Sequence, residues 1–469
     1  LFPRTQTQNN VLSAPELRFW VDKIKFFLVS CLNSYKNVLL NFLNLSCIFK
    51  VNSSYFSVNI FLEVFMAGAL KGIRIIDLTS MISGPSATMI LGDQDAEIIK
   101  IEKTSVGDYT RIVSTQRSGI SAAYLNNNRN KKSVCIDLKA EEGKNILTKL
   151  IGTADVLVQN FRPGVMDRLG FGYSDVRAIS PNIIYVSISG FGFTGPYKNK
   201  PVYDPLIQAL SGLTTVQAGS DEERPRLMRT ILPDKLTGFA TAQAITAALF
   251  HKAKTGEGQE VKISMLDAVI SFLWGSDMGG HTFVGDELEK ETAQSFIDLI
   301  YETKEGFISV AVQSDKEWFN ICDAFNKKEW LSDPRFLTAE LRHQNINERL
   351  ELIQSELKKK TSDEWLKLLT AKDVPCAPVL TRKEMIKNEQ VVANDIIKIS
   401  EHPIAGKIRQ SKLAASFSVT NKDDNLSAPT LGQHTKSVLS GLGFTELEVD
   451  RLLSDKVLRA VDLYFQLLI

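Results

Sequence analysis

The sequence predicts an α/β protein built on a doubly wound, largely parallel sheet. Short β-branched runs recur along the chain, each ends in a Gly-bearing or polar turn, and helical stretches lie between them at the spacing a right-handed crossover needs. The first run, Gly72–Leu78 (GIRIIDL), leads through Ser83-Gly84-Pro85 into a helix opening around Ala87–Leu91. Ala96–Ile101 (AEIIKI) closes a βαβ unit. Ser133–Leu138 precedes a helix with Glu141, Glu142 and Lys144 on its polar face, Ala154–Val158 runs into Asn160-Phe-Arg-Pro-Gly164, and Asn182–Ile188 runs into Ser189-Gly-Phe-Gly192. Sheets of this kind take ligands at the carboxyl ends of their strands. No GxGxxG follows the first strand, which argues against a dinucleotide dehydrogenase because the glycines that let a pyrophosphate approach are missing.

Farther on the texture changes. Gly306–Val312 reads as a strand, and Asn347–Leu369 is Glu/Lys-rich with Leu at helical spacing, so residues 286–400 form an expected smaller α/β domain. After the Val374–Pro378 loop, the segment around Gly406, Pro429–Gln433 and a helix over Glu446–Leu453 marks a return to the large domain, placing its two parts at 66–285 and 401–469. Residues 1–65 differ from the rest. They hold nine of the 25 Phe and neither Met nor Gly, and the first Met is Met66. They read as an extension outside the folded body, either upstream sequence carried in the gene model or a poorly ordered tail. Their apolar runs, Phe26–Leu32 and Val38–Phe49, fall short of the roughly 18–20 residues a membrane span needs.

Composition narrows the function. A chain of 469 residues with 44% hydrophobic and 23% charged residues suits a soluble multidomain enzyme, and a formal net charge of +1 gives no global field for nucleic acid or an anionic membrane. Five scattered cysteines without a CxxC pair indicate neither a disulfide framework nor a zinc knuckle, so the expected compartment is reducing and cytoplasmic, with a mitochondrial one second because residues 1–65 make a poor transit peptide. No HxH or HExxH occurs, and no metal is expected.

Several segments together resemble the family III CoA-transferases, the group that contains formyl-CoA transferase, carnitine CoA-transferase and 2-methylacyl-CoA racemase. They include Leu70–Leu78, Gly84-Pro85, Ala96–Glu102, Gly107–Arg111, Asn128–Ser133, Asn160–Gly164, Arg168–Phe171, Tyr203–Gly212, Thr255–Gln259 and Leu431–His434, in order from Leu70 to about Leu453. The resemblance implies a Rossmann-like large domain made from both chain ends, a small middle domain and an interlocked homodimer. It also implies acyl-CoA and small carboxylic acids as substrates, with coenzyme A held as part of the acyl-CoA.

Asp204 is the residue on which the resemblance turns. Alone, Tyr203-Asp204-Pro205 is an ordinary turn, since the residue before Pro is pushed out of the α region. In the transferases a similar motif supplies the catalytic carboxylate, and a carboxylate suits thioester exchange because it forms a mixed anhydride and then an aspartyl-CoA thioester with no need for ATP. By resemblance, Ser83, Lys103, Asn128, Arg129, Asn130, Lys132, Asn160, Phe161 and Arg168 are candidates to hold CoA. Gly190-Phe191-Gly192 is a second such stretch and also a candidate source of oxyanion-stabilising N–H groups, as, more loosely, is Gly279-Gly280. Two departures stand out. Asp95 occupies a position where the family usually has Gly, which implies a positive φ. The racemase branch carries a Gly-His-Asp motif and an upstream His, whereas here the residues are Val202-Tyr203-Asp204 and Arg177, so a transferase is favoured over a racemase; a CoA-binding homologue without catalysis is the third reading.

Overall fold

The computed structural model describes residues 46–51, 54–59, 68–285, 299–420 and 426–461, and the chain divides into two units, residues 1–67 and 68–469. Of the first unit, an antiparallel strand pair, Ser46–Val51 with Ser54–Asn59, is described. The rest of the expected N-terminal extension lies outside the described residues.

The second unit is organised by a seven-stranded sheet. Its strands are β1 (Arg74–Asp77), β2 (Glu97–Glu102), β3 (Lys131–Ile136), β4 (Val156–Gln159), β5 (Ile184–Ser189), β6 (Glu260–Ser264) and β7 (Leu458–Arg459). They lie in the order β7-β3-β2-β1-β4-β5-β6, all parallel except β7, which runs antiparallel to β3 through the Leu458–Ile136 and Arg459–Cys135 pairs. The order reverses between β1 and β4, the position at which a doubly wound sheet opens a crevice at its carboxyl edge.

The β-branched runs form these strands because both faces of the sheet are covered. Ile76, Ile99, Val134 and Ile136 face one side, where they pack against Ile146, Leu147 and Leu150 of α3 (Glu141–Ile151) and against Val449 and Leu452 near the C-terminus. Ile75, Ile98, Val156, Val158, Ile184 and Val186 face the other, against Ala87 and Leu91 of α1 (Ser83–Asp93) and Ala242, Ile245 and Leu249 of α5 (Leu232–Thr255). Burying each such side chain contributes about 1.5–3 kcal/mol. Helices α1 and α5 cross closely at Gly238, where a Cβ would come within 2.1 Å of Ser86 Oγ. Between these elements run α2 (Ala122–Asn128), α4 (Asp204–Leu210) and α6 (Met265–Leu273).

Residues 301–376 build a separate apolar cluster around Trp318, Phe336, Leu350, Trp365 and Leu369, with an antiparallel three-stranded sheet of Ile300–Glu302, Phe307–Val310 and Cys376–Pro378. The helical stretch expected over 347–369 is two helices, Ile346–Leu357 and Ser362–Ala371, because Thr361 and Glu364 form a capping box that starts the second. Beyond residue 426 the chain returns to β3: Leu426 N donates to Asn130 Oδ1 at 2.7 Å, Gly432 N to Ser133 Oγ at 2.9 Å and His434 N to Ser133 O at 2.9 Å. Asp95 has φ +76°, the left-handed conformation that its place in the motif implies.

Candidate active site

The carboxyl edge of the sheet rests on buried charge. Lys131 Nζ lies 3.0 Å from Asp77 Oδ2, Lys100 Nζ lies 2.9 Å from Asp108 Oδ2, and Lys100 also donates to Thr79 O at 2.8 Å. Burial pushes the Asp77 carboxyl up, but the two ammonium groups and the hydroxyls of Thr79 and Thr88 outweigh it and hold the group well below the usual carboxylate range. One strand over, Glu102 accepts from Arg111 at 2.6 Å and from Ser133 Oγ at 2.6 Å. These pairs fix the turn that follows β1. Asn160 at the end of β4 then pins that turn across the reversal point, accepting from Ser80 N at 3.0 Å and donating to Ser80 O at 2.8 Å.

Asp204 opens α4. Tyr203 is extended and Pro205 occupies the first turn, where its missing N–H costs nothing. The Asp204 side chain is buried, with the residue 3% exposed, and it makes no ion pair among the described residues. Gln208, one helical turn later, donates Nε2 to Asp204 Oδ1 at 2.6 Å, and Asp234 N donates to Oδ2 at 3.3 Å. Burial raises the carboxyl above its ordinary value, while the two hydrogen bonds and the nearby Lys235 ammonium pull in the opposite direction. The carboxylate is thus oriented by two donors and not neutralised by a contacting cation, which keeps it basic and available for attack.

A second carboxyl stands beside it. Asp234, on the first turn of α5, is pushed up to about 6 by burial and by the Asp204 charge, against the backbone N–H and hydroxyl that Ser83 offers it. Gln208 also ties down the strand-like segment before α5, accepting from Met228 N at 2.9 Å and reaching Thr230 O at 3.3 Å. Ile207, Met265, Val269 and Leu273 pack α4 against α6, with Phe191, Val202 and Met278 at the margin of the cluster.

The expected ligand-holding residues fall into two groups. Ser83, Lys103, Asn160, Phe161 and Gly190–Gly192 follow the carboxyl ends of strands or begin the next helix, on the crevice side, and Arg168 lies in the last turn of the short helix Val165–Leu169 that follows β4. Lys103 and Arg168 are exposed and make no ion pair among the described residues. Gly192 N donates to Ser189 Oγ at 3.0 Å, so that N–H is already engaged. Gly279-Gly280 lies in a short exposed turn directly after Met278. Asn128, Arg129, Asn130 and Lys132 form the second group, at or just before the amino end of β3. Arg129 is buried on Asp93, at 2.5 and 2.9 Å, Asn130 donates to the same carboxylate at 2.7 Å, and Lys132 pairs with Glu97 at 2.6 Å. Asn128 accepts from Lys131 Nζ at 2.9 Å. Arg129, Asn130 and Lys132 are thus engaged in holding the fold, whereas Asn128 connects through the Lys131 ammonium to the Asp77 carboxylate at the carboxyl edge. Sequence reasoning missed Asp234, Gln208 and Lys235. Gln208 carried a signal, the i, i+4 spacing from an Asp-Pro helix start, whereas Asp234 lies 30 residues away in sequence and had none.

No helix among the described residues is long and apolar enough to cross a membrane, and no cluster of three potential metal-ligating side chains occurs among them. A family model described as CoA-transferase family III matches residues 70–435. A succinyl-CoA:glutarate CoA-transferase of Homo sapiens is 32% identical over 393 residues, spanning 82% of this chain and 89% of that protein. A formyl-CoA:oxalate CoA-transferase of Escherichia coli is 33% identical over 417 residues, spanning 82% of this chain and 98% of the other. Among solved structures, a CAIB/BAIF family protein from Brucella suis superposes with a TM-score of 0.70 at 26% identity, covering 80% of this chain and all of that one.

Proposed function

The chain belongs to CoA-transferase family III, and on that footing we propose that it moves CoA between small carboxylic acids with Asp204 as the nucleophile. The observation that carries this reading is the buried Asp204 carboxylate, held by Gln208 and the Asp234 N–H and left without an ion pair among the described residues. An Asp204 oxygen attacks the thioester carbonyl of the donor, the C–S bond breaks, and a mixed anhydride and CoA thiolate result. The thiolate attacks the aspartyl carbonyl, the donor acid leaves as its carboxylate, and an aspartyl-CoA thioester remains. The acceptor carboxylate attacks that thioester and expels the thiolate again. Attack of the thiolate on the acceptor's acyl carbon then gives the new acyl-CoA and restores Asp204. Each step exchanges activated carbonyls of similar energy, so no ATP is consumed. The oxyanions need N–H donors, for which Gly190 and Gly279-Gly280 remain the candidates.

Lys103 and Arg168, two exposed cations, are proposed to meet the CoA phosphates, with Asn160 and Phe161 lining the crevice edge and Ser83 joining them to Asp234. We read the protein as a homodimer with a large domain from both chain ends and a small middle domain. Supporting the dimer, Leu206 and Leu210 of α4, Phe239 and Phe250 of α5, and Phe272 and Trp274 at α6 are large apolar side chains left exposed on three helices that pack on one another. Free thiols at Cys135 and Cys322, both buried, accord with a reducing, cytoplasmic compartment.

The test is incubation with succinyl-CoA and a panel of carboxylic acids, following new CoA esters by mass spectrometry, with Asp204→Ala as control. A new ester that disappears in the variant supports the reading. Deuterium wash-in at the α-carbon of a branched acyl-CoA without transfer would favour the racemase, and stabilisation by CoA without turnover an inactive homologue.

A further inference from the structure

Asp204 sits in a ring of contacts that includes a cation with no ion pair among the described residues. From Asp204 the ring passes to Gln208 at 2.6 Å, from Gln208 Nε2 to Thr230 O at 3.3 Å, from Thr230 Oγ1 to Lys235 Nζ at 2.9 Å, and back through the Asp234 N–H to Asp204 at 3.3 Å. Lys235 is exposed, is held by a neutral hydroxyl, and makes no ion pair among the described residues. Its neighbour on the same segment, Arg229, is also exposed and makes no ion pair or hydrogen bond among them. Acidic side chains neutralise many of the other lysines in this chain, such as Lys132 on Glu97 and Lys252 on Asp155. A positive group fixed beside a nucleophile that itself needs no counter-ion is placed to receive a negative charge from the substrate.

We propose that Lys235, supported by Arg229, binds the second carboxylate of a dicarboxylic acid, making these residues determinants of acceptor specificity. The inference rests on the transferase reading and deepens it. One carboxylate of the acid attacks the aspartyl thioester, and the other, at the far end of a short chain, meets the Lys235 ammonium. In this structure that ammonium donates to the Thr230 hydroxyl and forms no ion pair with Asp204. A monocarboxylate of the same length gains nothing from this contact, and an exposed lysine provides a modest but decisive discrimination.

The test compares glutarate with pentanoate as acceptors, using the full chain, succinyl-CoA as donor and the variants Lys235→Met, Lys235→Arg and Arg229→Gln/Lys235→Met. The wild type is expected to favour glutarate in kcat/KM. Lys235→Met should lower the glutarate-to-pentanoate ratio about two- to fivefold, mainly through the glutarate KM, with the double variant lower still and Lys235→Arg restoring most of the ratio. A ratio unchanged in Lys235→Met overturns the proposal, whether both acids fall together, as they would if Lys235 served the reacting carboxylate, or neither falls. Equilibrium binding of the two acids, measured by calorimetry, reads the same preference without turnover. If no ester forms with any acceptor, the transferase reading fails, while glutarate binding that is about two- to fivefold tighter than pentanoate binding, with the preference lost in Lys235→Met, still supports the carboxylate site. Equal binding of both acids to the wild type overturns it.

Discussion

Replacing Asp234 by Asn should stabilise the protein, by an amount that grows as pH rises from about 4 to 6 and is complete above that range. The Asp234 carboxyl is raised from 3.8 to about 6 by burial and by the Asp204 charge. In the unfolded chain it titrates near the ordinary carboxylate value, so between about pH 4 and 6 the folded state holds the extra proton. Stability from this group is therefore fully present below about pH 4 and is lost as pH rises through 6. A tenfold change in proton affinity is worth about 1.4 kcal/mol, and the loss accordingly approaches about 3 kcal/mol by pH 7. Asn keeps an oxygen for the Ser83 donors and leaves the backbone N–H on Asp204 untouched, but it carries no charge. Urea unfolding of the wild type and Asp234→Asn from pH 4.5 to 7.5 should show the variant's advantage growing with pH toward about 2–3 kcal/mol, and Asp204→Ala should recover part of it. A difference that stays constant with pH, or one that shrinks as pH rises, would refute the carboxyl pair.

Other changes separate the site from its scaffold. Arg129→Ala breaks a buried pair with Asp93 and should cost about 3 kcal/mol in unfolding free energy while leaving the affinity for CoA within about twofold, as read by calorimetry. Arg168→Ala should instead leave stability within about 0.5 kcal/mol and raise the KM for acyl-CoA roughly tenfold, with a weaker dependence on salt than in the wild type. Gln208→Leu removes the donor on Asp204 Oδ1 and should lower kcat at least tenfold in the transfer assay with little effect on donor KM. Asp95→Gly relieves a left-handed residue and should raise the thermal midpoint, by about 0.5–1 kcal/mol in free energy, less whatever the Gly68 N–H contact to its carboxylate contributes.

The sheet was legible because each strand announces itself twice, in its β-branched run and in the turn that follows. Ile75 and Ile76 illustrate it, since neighbouring apolar residues facing opposite sides are what a sheet covered on both faces requires. For the basic run at 128–132, sequence alone shows charge and not its place on the sheet. Its position just before a strand does carry placement: in a parallel sheet the residues preceding a strand lie toward the amino edge, whereas ligands gather after the strands. Asp93, the partner that buries Arg129, is 36 residues away. The same distance problem hid Asp234. Its N–H reaches Asp204 only because α4 and the first turn of α5 converge, and no local pattern encodes that meeting.

The measurement that bears most directly on the account is the mass of the protein itself after brief incubation with succinyl-CoA and a rapid quench. The account predicts a covalent CoA adduct, formed with loss of water, that maps to the peptide containing Asp204, disappears when a carboxylic acid acceptor is added, and is absent from Asp204→Ala. An adduct on another residue, or CoA transfer that persists in Asp204→Ala, would contradict it.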